Sequence, residues 1–384
     1  MLTALTAATA IGPDGPIRDA VVLIEDGKVH SVGTLAETEL PAGTQTKSFG
    51  ANVIAPGYVD IHIHGAAGYD VMQADNTGMT RIQGMLARHG VTSYCPTTVT
   101  APLDPTLRAL ERLAKAIEDA TPQKNQAQPI GIHIEGPFLS EARRGVHPPA
   151  DLVEPSIGLF ERFWEASRGH IRVMTIAAEL AGATELINFA VQRGVVCSLG
   201  HSDATTDPTR DAIAAGARHA THTFNAMRPL DHRDPGVLGV VLDDDRVTAD
   251  IIADGVHVDP TIVELFLKAK GPERAVLITD AISATGMANG TYQLGSFMVE
   301  VKGETCCYQG KLAGSVLTMD RAVRNVMAFA SWELAAAVNL ATRNPARVIG
   351  STATKGVLSP GADADIVVLS PSGEVLQTIC RGAA

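Results

Sequence analysis

No Lys/Arg run longer than a pair occurs in this chain of 384 residues, and 31 basic side chains face 42 acidic ones for a net charge of −11. That excludes the basic surface on which nucleic acid or an anionic membrane docks, while leaving room for a small anion held by a few local donors. No apolar run approaches the ~18 residues of a membrane span. The first residues, Met1–Ala7 (M-L-T-A-L-T-A), lack the basic region and long apolar stretch of a signal peptide. Cysteine is scarce, odd in number and scattered (Cys95, Cys197, Cys306, Cys307, Cys380), so reduced thiols in a cytoplasmic protein are expected rather than a disulfide framework. Cys197, inside a strand pattern, reads as packing. There is no internal repeat, no low-complexity segment and no G-x-G-x-x-G after the first core strand, which argues against a doubly wound dinucleotide-binding sheet. What the chain does have is apolar side chains, 45% of the total. That is enough for one large α/β barrel with an appendage, or for two or three ordinary domains.

Residues 1 to about 55 carry short β signals. Ala20–Ile24 and Lys28–Val32 flank Glu25-Asp26-Gly27, and an Asp-Gly between two apolar runs marks a hairpin. Near the other end, Asp365–Leu369 (D-I-V-V-L) follows a turn-rich stretch, Ser359–Asp363. Both ends, 1–55 and 349–384, are therefore expected to pair in one small β domain, with a core of residues 56–348 inserted between them. In that core, strands alternate with helices, the pattern of a parallel sheet. Eight strands are expected: Tyr58–His64, Val91–Val99, Ile130–Glu135, Ile171–Glu179, Val195–His201, Arg218–His222, Val247–Asp254 and Ala275–Asp280. Helices are expected at Leu107–Ala120, Ala183–Arg193 and Thr206–Ala217. Another, Asp320–Ala330, follows a long insertion, 282–318, with its own β-like segment at Tyr292–Val301. Eight alternations fit a (β/α)8 TIM barrel.

Five of those strands end on residues that bind metals or move protons. His62 and His64 are two apart, so both face one side of a strand, where a single metal can take both imidazoles. Glu135 closes the apolar run Ile130–Ile134, a costly place for a carboxylate unless it is paired or ligated. His133, two residues deeper, reads as a packing or supporting residue rather than a ligand. His201 and His222 close two more strands, whereas His219 is odd-spaced from His222 and reads as structural. Asp280 closes the last strand, where a carboxylate facing an activated water can take its proton and return it to a leaving group. Each residue has a bland explanation alone; five on one face of one barrel do not. A non-catalytic barrel would be expected to have lost one of them.

Pro56–Gly65 (P-G-Y-V-D-I-H-I-H-G) and Gly356–Leu369 (G-V-L-S-P-G-A-D-A-D-I-V-V-L) resemble the amidohydrolase superfamily. That resemblance implies a metal-bearing (β/α)8 barrel with a small β-sandwich built from both termini. Within it, His133–Phe138 (H-I-E-G-P-F), Leu199–Ser202, His222–Met227, Ala253–His257 and Gly314–Met319 are similar to the N-acetylglucosamine-6-phosphate deacetylase family. The bridging Lys of the cyclic-amide branch is absent.

The resemblance implies that Glu135, His201 and His222 hold the main metal and that Asp280 is the catalytic acid/base. It also implies a second metal on His62 and His64, with Glu135 bridging and Asp280 contributing, so that one or two divalent ions are expected per subunit. Zinc is expected first, with iron, cobalt and manganese open, since His/carboxylate sites accept all of them. By the same likeness, Val146 and His147 contact the acetamido group and sugar, Asn225 and Ala226 the phosphate, His257 the sugar phosphate, and Leu312, Ala313 and Gly314 line the pocket. Arg233 matches a phosphate-binding Arg supplied by the neighbouring subunit, which implies a homodimer or larger homo-oligomer. Ala313 stands where Ser is common. Arg228 stands where a small residue or Pro is familiar, as an added phosphate donor or a solvent-facing side chain. The implied activity is hydrolysis of an N-acetylated amino-sugar phosphate, glucosamine first and its galactosamine epimer as the alternative.

Overall fold

The computed structural model describes residues 2–383. At its centre eight parallel core strands follow in chain order: Tyr58–Ile63, Val91–Thr98, Ile132–Glu135, Ile171–Ile176, Val196–Leu199, His219–Ala220, Ala249–Ile251 and Ala275–Leu277, the first six in one sheet with Gln128–Pro129 and the last two in another. The first six pair successively in parallel, as do the seventh and eighth. Ala220 N–H donates to the Thr248 carbonyl between the sixth and seventh, and Asp280 N–H donates to the His62 carbonyl just past the eighth, each at 3.0 Å. Parallel strands are covered on both faces, and Tyr58–Ile63 and Val91–Thr98 are buried at every position even though Asp60, His62, Thr92, Ser93, Thr97 and Thr98 lie among them.

Helices pack between the strands. The one expected from Leu107 starts at Leu103 instead. Pro105 suggests a break in sequence, yet in a first turn its missing N–H is an orphan anyway. Thr106, Ala109, Leu110, Leu113 and Ala114 then repeat at helical spacing and are buried. The other expected helices appear at Ala183–Val191, Thr206–Ala215 and Met319–Ala330.

Most strands stop earlier than the sequence pattern implies. Regular pairing ends at Ile63, Leu199, Ala220 and Leu277, so His64, His201, His222 and Asp280 lie just beyond strand ends, and only Glu135 closes a strand itself. At three of these positions the backbone has left the pleat: φ is 47° at His201, 30° at His222 and 49° at Asp280. L-residues enter that left-handed region at a cost, and a pleated strand cannot contain them.

The insertion also differs. Tyr292–Val301 is two strands, Gly290–Leu294 and Phe297–Lys302, which pair antiparallel and continue through Thr305–Tyr308 to Lys311–Leu312. Gly295-Ser296 forms the two-residue turn, with φ 56° at Gly295, a position that glycine fills without strain.

Both chain ends join one seven-stranded sheet, in the order Val375–Ile379, Ile366–Leu369, Val53–Pro56, Thr3–Gly12, Gly15–Glu25 and Lys28–Thr34, with Gln45–Ser48 also beside Thr3–Gly12. The Asp26-Gly27 turn has both φ values positive, 49° and 75°, as a tight hairpin requires. Gly57 carries the chain from this sheet into the first core strand, donating to the Asp365 carbonyl at 2.8 Å. A Cβ there would come within 2.3 Å of Thr92. The buried Lys355 ties the same region together, with Nζ 2.7 Å from Asp365, 2.9 Å from Asp363 and 3.2 Å from Gln128 of the core. Lys28 also reaches Asp363, at 2.7 Å, but no other cation is paired with Asp365 among the described residues. Lys355→Met is expected to cost about 3–5 kcal/mol, the usual loss when one partner of a buried pair is removed. Thermal melting checks this, and an unchanged Tm would show that the network holds nothing.

Candidate active site

Seven ionisable side chains, all buried, converge beyond the carboxyl ends of the core strands: His62, His64, Glu135, His147, His201, His222 and Asp280. Glu135 is the hub. Its Oε1 lies 2.9 Å from His222 Nε2 and 3.2 Å from His201 Nε2. Its Oε2 lies 3.3 Å from His64 Nε2 and 3.5 Å from His147 Nε2. Asp280 Oδ1 sits 3.2 Å from His64 Nε2 and 3.4 Å from His62 Nε2. His62 and His64 face each other Nε2 to Nε2 at 3.1 Å, as do His201 and His222.

Two imidazole nitrogens at 3.1 Å can share at most one proton, and two carboxylates stand against both pairs. Lone pairs therefore converge on one another, and such a donor set calls for a cation. Hydrogen bonds at the far nitrogens say which imidazoles are ready for one. His64 Nδ1 lies 3.0 Å from the Thr97 carbonyl and His201 Nδ1 lies 2.9 Å from the Arg143 carbonyl. A carbonyl only accepts, so both Nδ1 atoms carry the proton and each Nε2 offers a lone pair. His147 is the opposite case. Its Nδ1 lies 2.8 Å from Thr100 Oγ1 and accepts from the Thr100 N–H at 3.3 Å, which puts the proton on Nε2 in the metal-free ring. His62 Nδ1 and His222 Nδ1 are buried with no hydrogen-bond partner among the described residues. The described residues thus offer two adjoining donor clusters that suit a metal, His62, His64 and Asp280 in one and Glu135, His147 and His201 in the other, with His222 2.9 Å from Glu135 beside the second.

The electrostatics of the metal-free cluster lead to the same conclusion. Burial pushes His64 down, but the hydrogen bonds and charges of Asp280 and Glu135 leave it well above the usual range. Burial likewise lowers His222, and Glu135 more than reverses that, to about 9. For His201 burial prevails, bringing it to about 4. Burial raises both acids, yet the surrounding imidazoles hold Glu135 well below its ordinary value, and His64, His62 and His222 bring Asp280 to about 2. Protons on His64 and His222 do part of the neutralising that a metal would do completely.

Supporting residues hold this geometry. His133 is no ligand, because its Nδ1 bonds the Ile61 carbonyl at 3.0 Å and its Nε2 bonds Thr175 Oγ1 at 2.8 Å. His219 Nε2 holds Asp250 Oδ2 at 2.9 Å, and Asp250 Oδ1 accepts the backbone N–H of His222. Sequence reasoning missed Asp250 and also Asp60, which accepts from Thr279 Oγ1 at 2.6 Å and from the His62 N–H at 3.3 Å. Asp60 was findable: it shares the strand face of His62 and His64, where an unpaired carboxylate is costly.

A cavity of about 60 Å³ opens on the donors. Val146, His147, Leu312, Ala313 and Gly314 line it, and so do three residues missed in sequence, Val99, Leu294 and Phe297. The two-residue Gly295-Ser296 turn was the available signal for the last pair. Asn225, Ala226, Arg233 and His257 lie outside this lining. Asn225 donates its backbone N–H to the His222 carbonyl at 2.9 Å, and its side-chain Nδ2 is buried without a partner among the described residues. Ala226 accepts from the Ser202 N–H at 3.1 Å, and His257 Nδ1 is held by Asp254 at 2.6 Å. Arg233 stands on an exposed loop. Arg228 is partly exposed to solvent and outside the cavity lining, and it pairs with Asp234 at 2.5 Å and with Asp203 at 3.5 Å. A larger cavity, about 360 Å³, lies between the Asn76–Arg88 helix, residues 119–129 and the terminal sheet, lined by no histidine.

Residues 53–384 match the amidohydrolase family. The chain belongs to that family. Metal dependence, a mixed α/β fold and hydrolase chemistry come with it. Within the family, the chain is 36% identical to the N-acetylglucosamine-6-phosphate deacetylase of Bacillus subtilis over 95% of its length and 92% of that protein's. It is also 36% identical to an Escherichia coli O157:H7 N-acetylgalactosamine-6-phosphate deacetylase, over 100% and 99%. The crystal structure of a Mycobacterium smegmatis N-acetyl-D-glucosamine-6-phosphate deacetylase variant, in complex with N-acetyl-D-glucosamine-6-phosphate, superposes with a TM-score of 0.92 at 37% identity, covering 99% of this chain and 98% of that one.

The titration of the metal-free site has a sign. His222, at about 9 folded against 6.5 ordinarily, contributes stability that is complete below pH 6.5 and lost as pH rises through 9. His201, at about 4, acts in the other direction, and its contribution is lost as pH falls from 6.5 towards 4. The Tm of chelator-treated protein is therefore expected to peak near pH 6.5. Saturating Zn²⁺ should raise it more at pH 8.5 than at pH 5.5, since the ligands bind metal only when deprotonated. A larger increment at pH 5.5 would contradict the assignment.

Proposed function

We propose that this protein hydrolyses the acetamide of N-acetyl-D-glucosamine 6-phosphate to D-glucosamine 6-phosphate and acetate. The observation that carries this reading is the buried set of five imidazoles and two carboxylates at the strand ends, in a chain whose relatives along nearly its whole length are amino-sugar-phosphate deacetylases. The fold is read as the family's (β/α)8 barrel over residues 56–348, with a small β-sandwich from 1–55 and 349–384. The eight successive strands and the sheet built from both ends support this.

Glu135, His201 and His222 would hold one ion, and His62 and His64 a second, with Glu135 bridging and Asp280 contributing. Zinc is the first choice. A divalent ion there supplies Lewis acidity, lowering the pKa of water towards neutrality and polarising the acyl carbonyl. Asp280, ionised well below neutral pH, accepts the proton of the attacking water and then delivers it to the departing amine. His147, with its proton on Nε2, donates to the carbonyl oxygen as negative charge develops there. Val146 joins it at the acetamido end. Asn225, Ala226, His257 and, from a neighbouring copy, Arg233 would receive the phosphate, while Leu312, Ala313 and Gly314 close the pocket. The exposed position of Arg233 suits a role across an interface in a homodimer or larger assembly, and a guanidinium matches phosphate by charge and geometry. A cytoplasmic location accords with the five free cysteines. The galactosamine epimer is the second reading, favoured by the equal identity to the E. coli relative.

Acetate release should be strong from N-acetylglucosamine 6-phosphate and weak from unphosphorylated N-acetylglucosamine, and a side-by-side kcat/KM on both phosphorylated epimers decides between the two sugars. Equal rates with and without phosphate would remove the anion site. Asp280→Asn is expected to lower kcat by about 10²–10⁴-fold, the usual contribution of general acid–base catalysis, with metal still present by elemental analysis. Retention of most of the kcat would overturn the role given to Asp280. Arg233→Ala should raise KM for the phosphorylated sugar with kcat little changed.

A further inference from the structure

We infer that the tip of the inserted sheet, Leu294 and Phe297, together with Val99, sets the size of the acyl group the enzyme removes. This rests on the deacetylase reading above and adds a specificity determinant to it. The cavity has two unlike walls. One is the donor cluster around Glu135 and Asp280; the other is apolar, formed by Val99, Val146, Leu294 and Phe297. The carbonyl carbon must sit at the donors, so the group attached to it lies one bond away. In an N-acetylhexosamine phosphate that group, the methyl, is the part with no hydrogen-bonding atoms. Sugar hydroxyls placed against Val, Leu and Phe would lose their water partners without replacement. The apolar wall therefore faces the acyl chain.

The wall is also fixed. Leu294 and Phe297 flank the Gly295-Ser296 turn, and the Gly295 peptide is held from both sides. Asp70 Oδ2 accepts its N–H at 2.7 Å, and Gln73 Nε2 donates to its carbonyl at 2.7 Å. Asp70 is buried and accepts from the Met72 N–H as well, at 2.7 Å. A Cβ on Gly295 would come within 2.4 Å of Val99 Cγ2, so the turn already lies against that side chain. Phe297 packs on Tyr308 with ring centroids 4.6 Å apart. Val99, Leu294, Val146 and Phe297 belong to one packed apolar cluster that borders the donors, so an acyl chain longer than acetyl meets this wall.

The test compares kcat/KM for the N-acetyl, N-propionyl and N-butyryl forms of glucosamine 6-phosphate, using metal-loaded wild type, Phe297→Ala, the milder Phe297→Leu, and Gln73→Ala. A methylene that a pocket must accept or reject is worth roughly 10–200-fold. Wild type is expected to prefer acetyl over butyryl by at least about tenfold, and Phe297→Ala to reduce that ratio by about tenfold or more. Phe297→Leu and Gln73→Ala should shift it in the same direction by less. General damage lowers all three rates together, so the ratio is the readout. An acetyl-to-butyryl ratio unchanged in every variant overturns the acyl wall while leaving the deacetylase reading intact. Failure of the wild type on all three substrates overturns the deacetylase reading, and this inference with it.

Discussion

Two carboxylates and five imidazoles buried around one small cavity cannot be neutral, unstrained and satisfied all at once without a cation. Glu135 meets four of the imidazoles within 3.5 Å, and the protons available to the metal-free cluster are too few for its lone pairs. The fold holds this arrangement by placing His201, His222 and Asp280 in left-handed backbone conformations. Residues kept in such sparsely populated regions cost on the order of 1–3 kcal/mol each and persist only where the surroundings over-determine them. Here the surroundings are visible. The Arg143 carbonyl fixes His201, Asp250 fixes the His222 backbone, and Asp280 N–H bonds the His62 carbonyl.

Beneath the site, a chain of hydroxyls carries the same logic into the core. The Ile61 carbonyl takes the proton of His133 Nδ1, so Nε2 must accept from Thr175. Thr175 then accepts from Thr221 at 2.9 Å, and Thr221 from Ser198 at 2.5 Å. The chain takes this direction because His133 is neutral, its pKa pushed well below the ordinary value by burial and His62. A neutral ring can pack edge-on against His62 at 4.6 Å between centroids without adding charge. Asp60 does for the first and last strands what this chain does for the middle ones: through Thr279 and the His62 N–H it links the strand bearing the His pair to the segment bearing Asp280.

The inserted sheet and the terminal sheet serve different ends of the parallel-stranded core. The first brings Leu294 and Phe297 to the cavity beside its polar donors. The second packs at the start of the first strand through Gly57 and Lys355. It shapes stability rather than chemistry, as expected where a site sits at the carboxyl ends of the strands.

Much of this was legible in the residues themselves. Apolar runs ending in His62, His64, Glu135, His201, His222 and Asp280 predict both the alternating strands and the donors, because burial of a polar side chain at a strand end needs a partner, and period-two spacing puts His62 and His64 on one face. The Asp26-Gly27 and helix signals are equally local. The sequence could not reveal that His201, His222 and Asp280 leave the pleat, since positive φ at a non-glycine is imposed by distant hydrogen bonds. Nor could it divide Tyr292–Val301 into a hairpin that reaches the cavity, or pair Arg228 with Asp203 and Asp234. Each of those depends on which groups the fold brings within 4 Å across long stretches of chain, and local spacing carries no record of that.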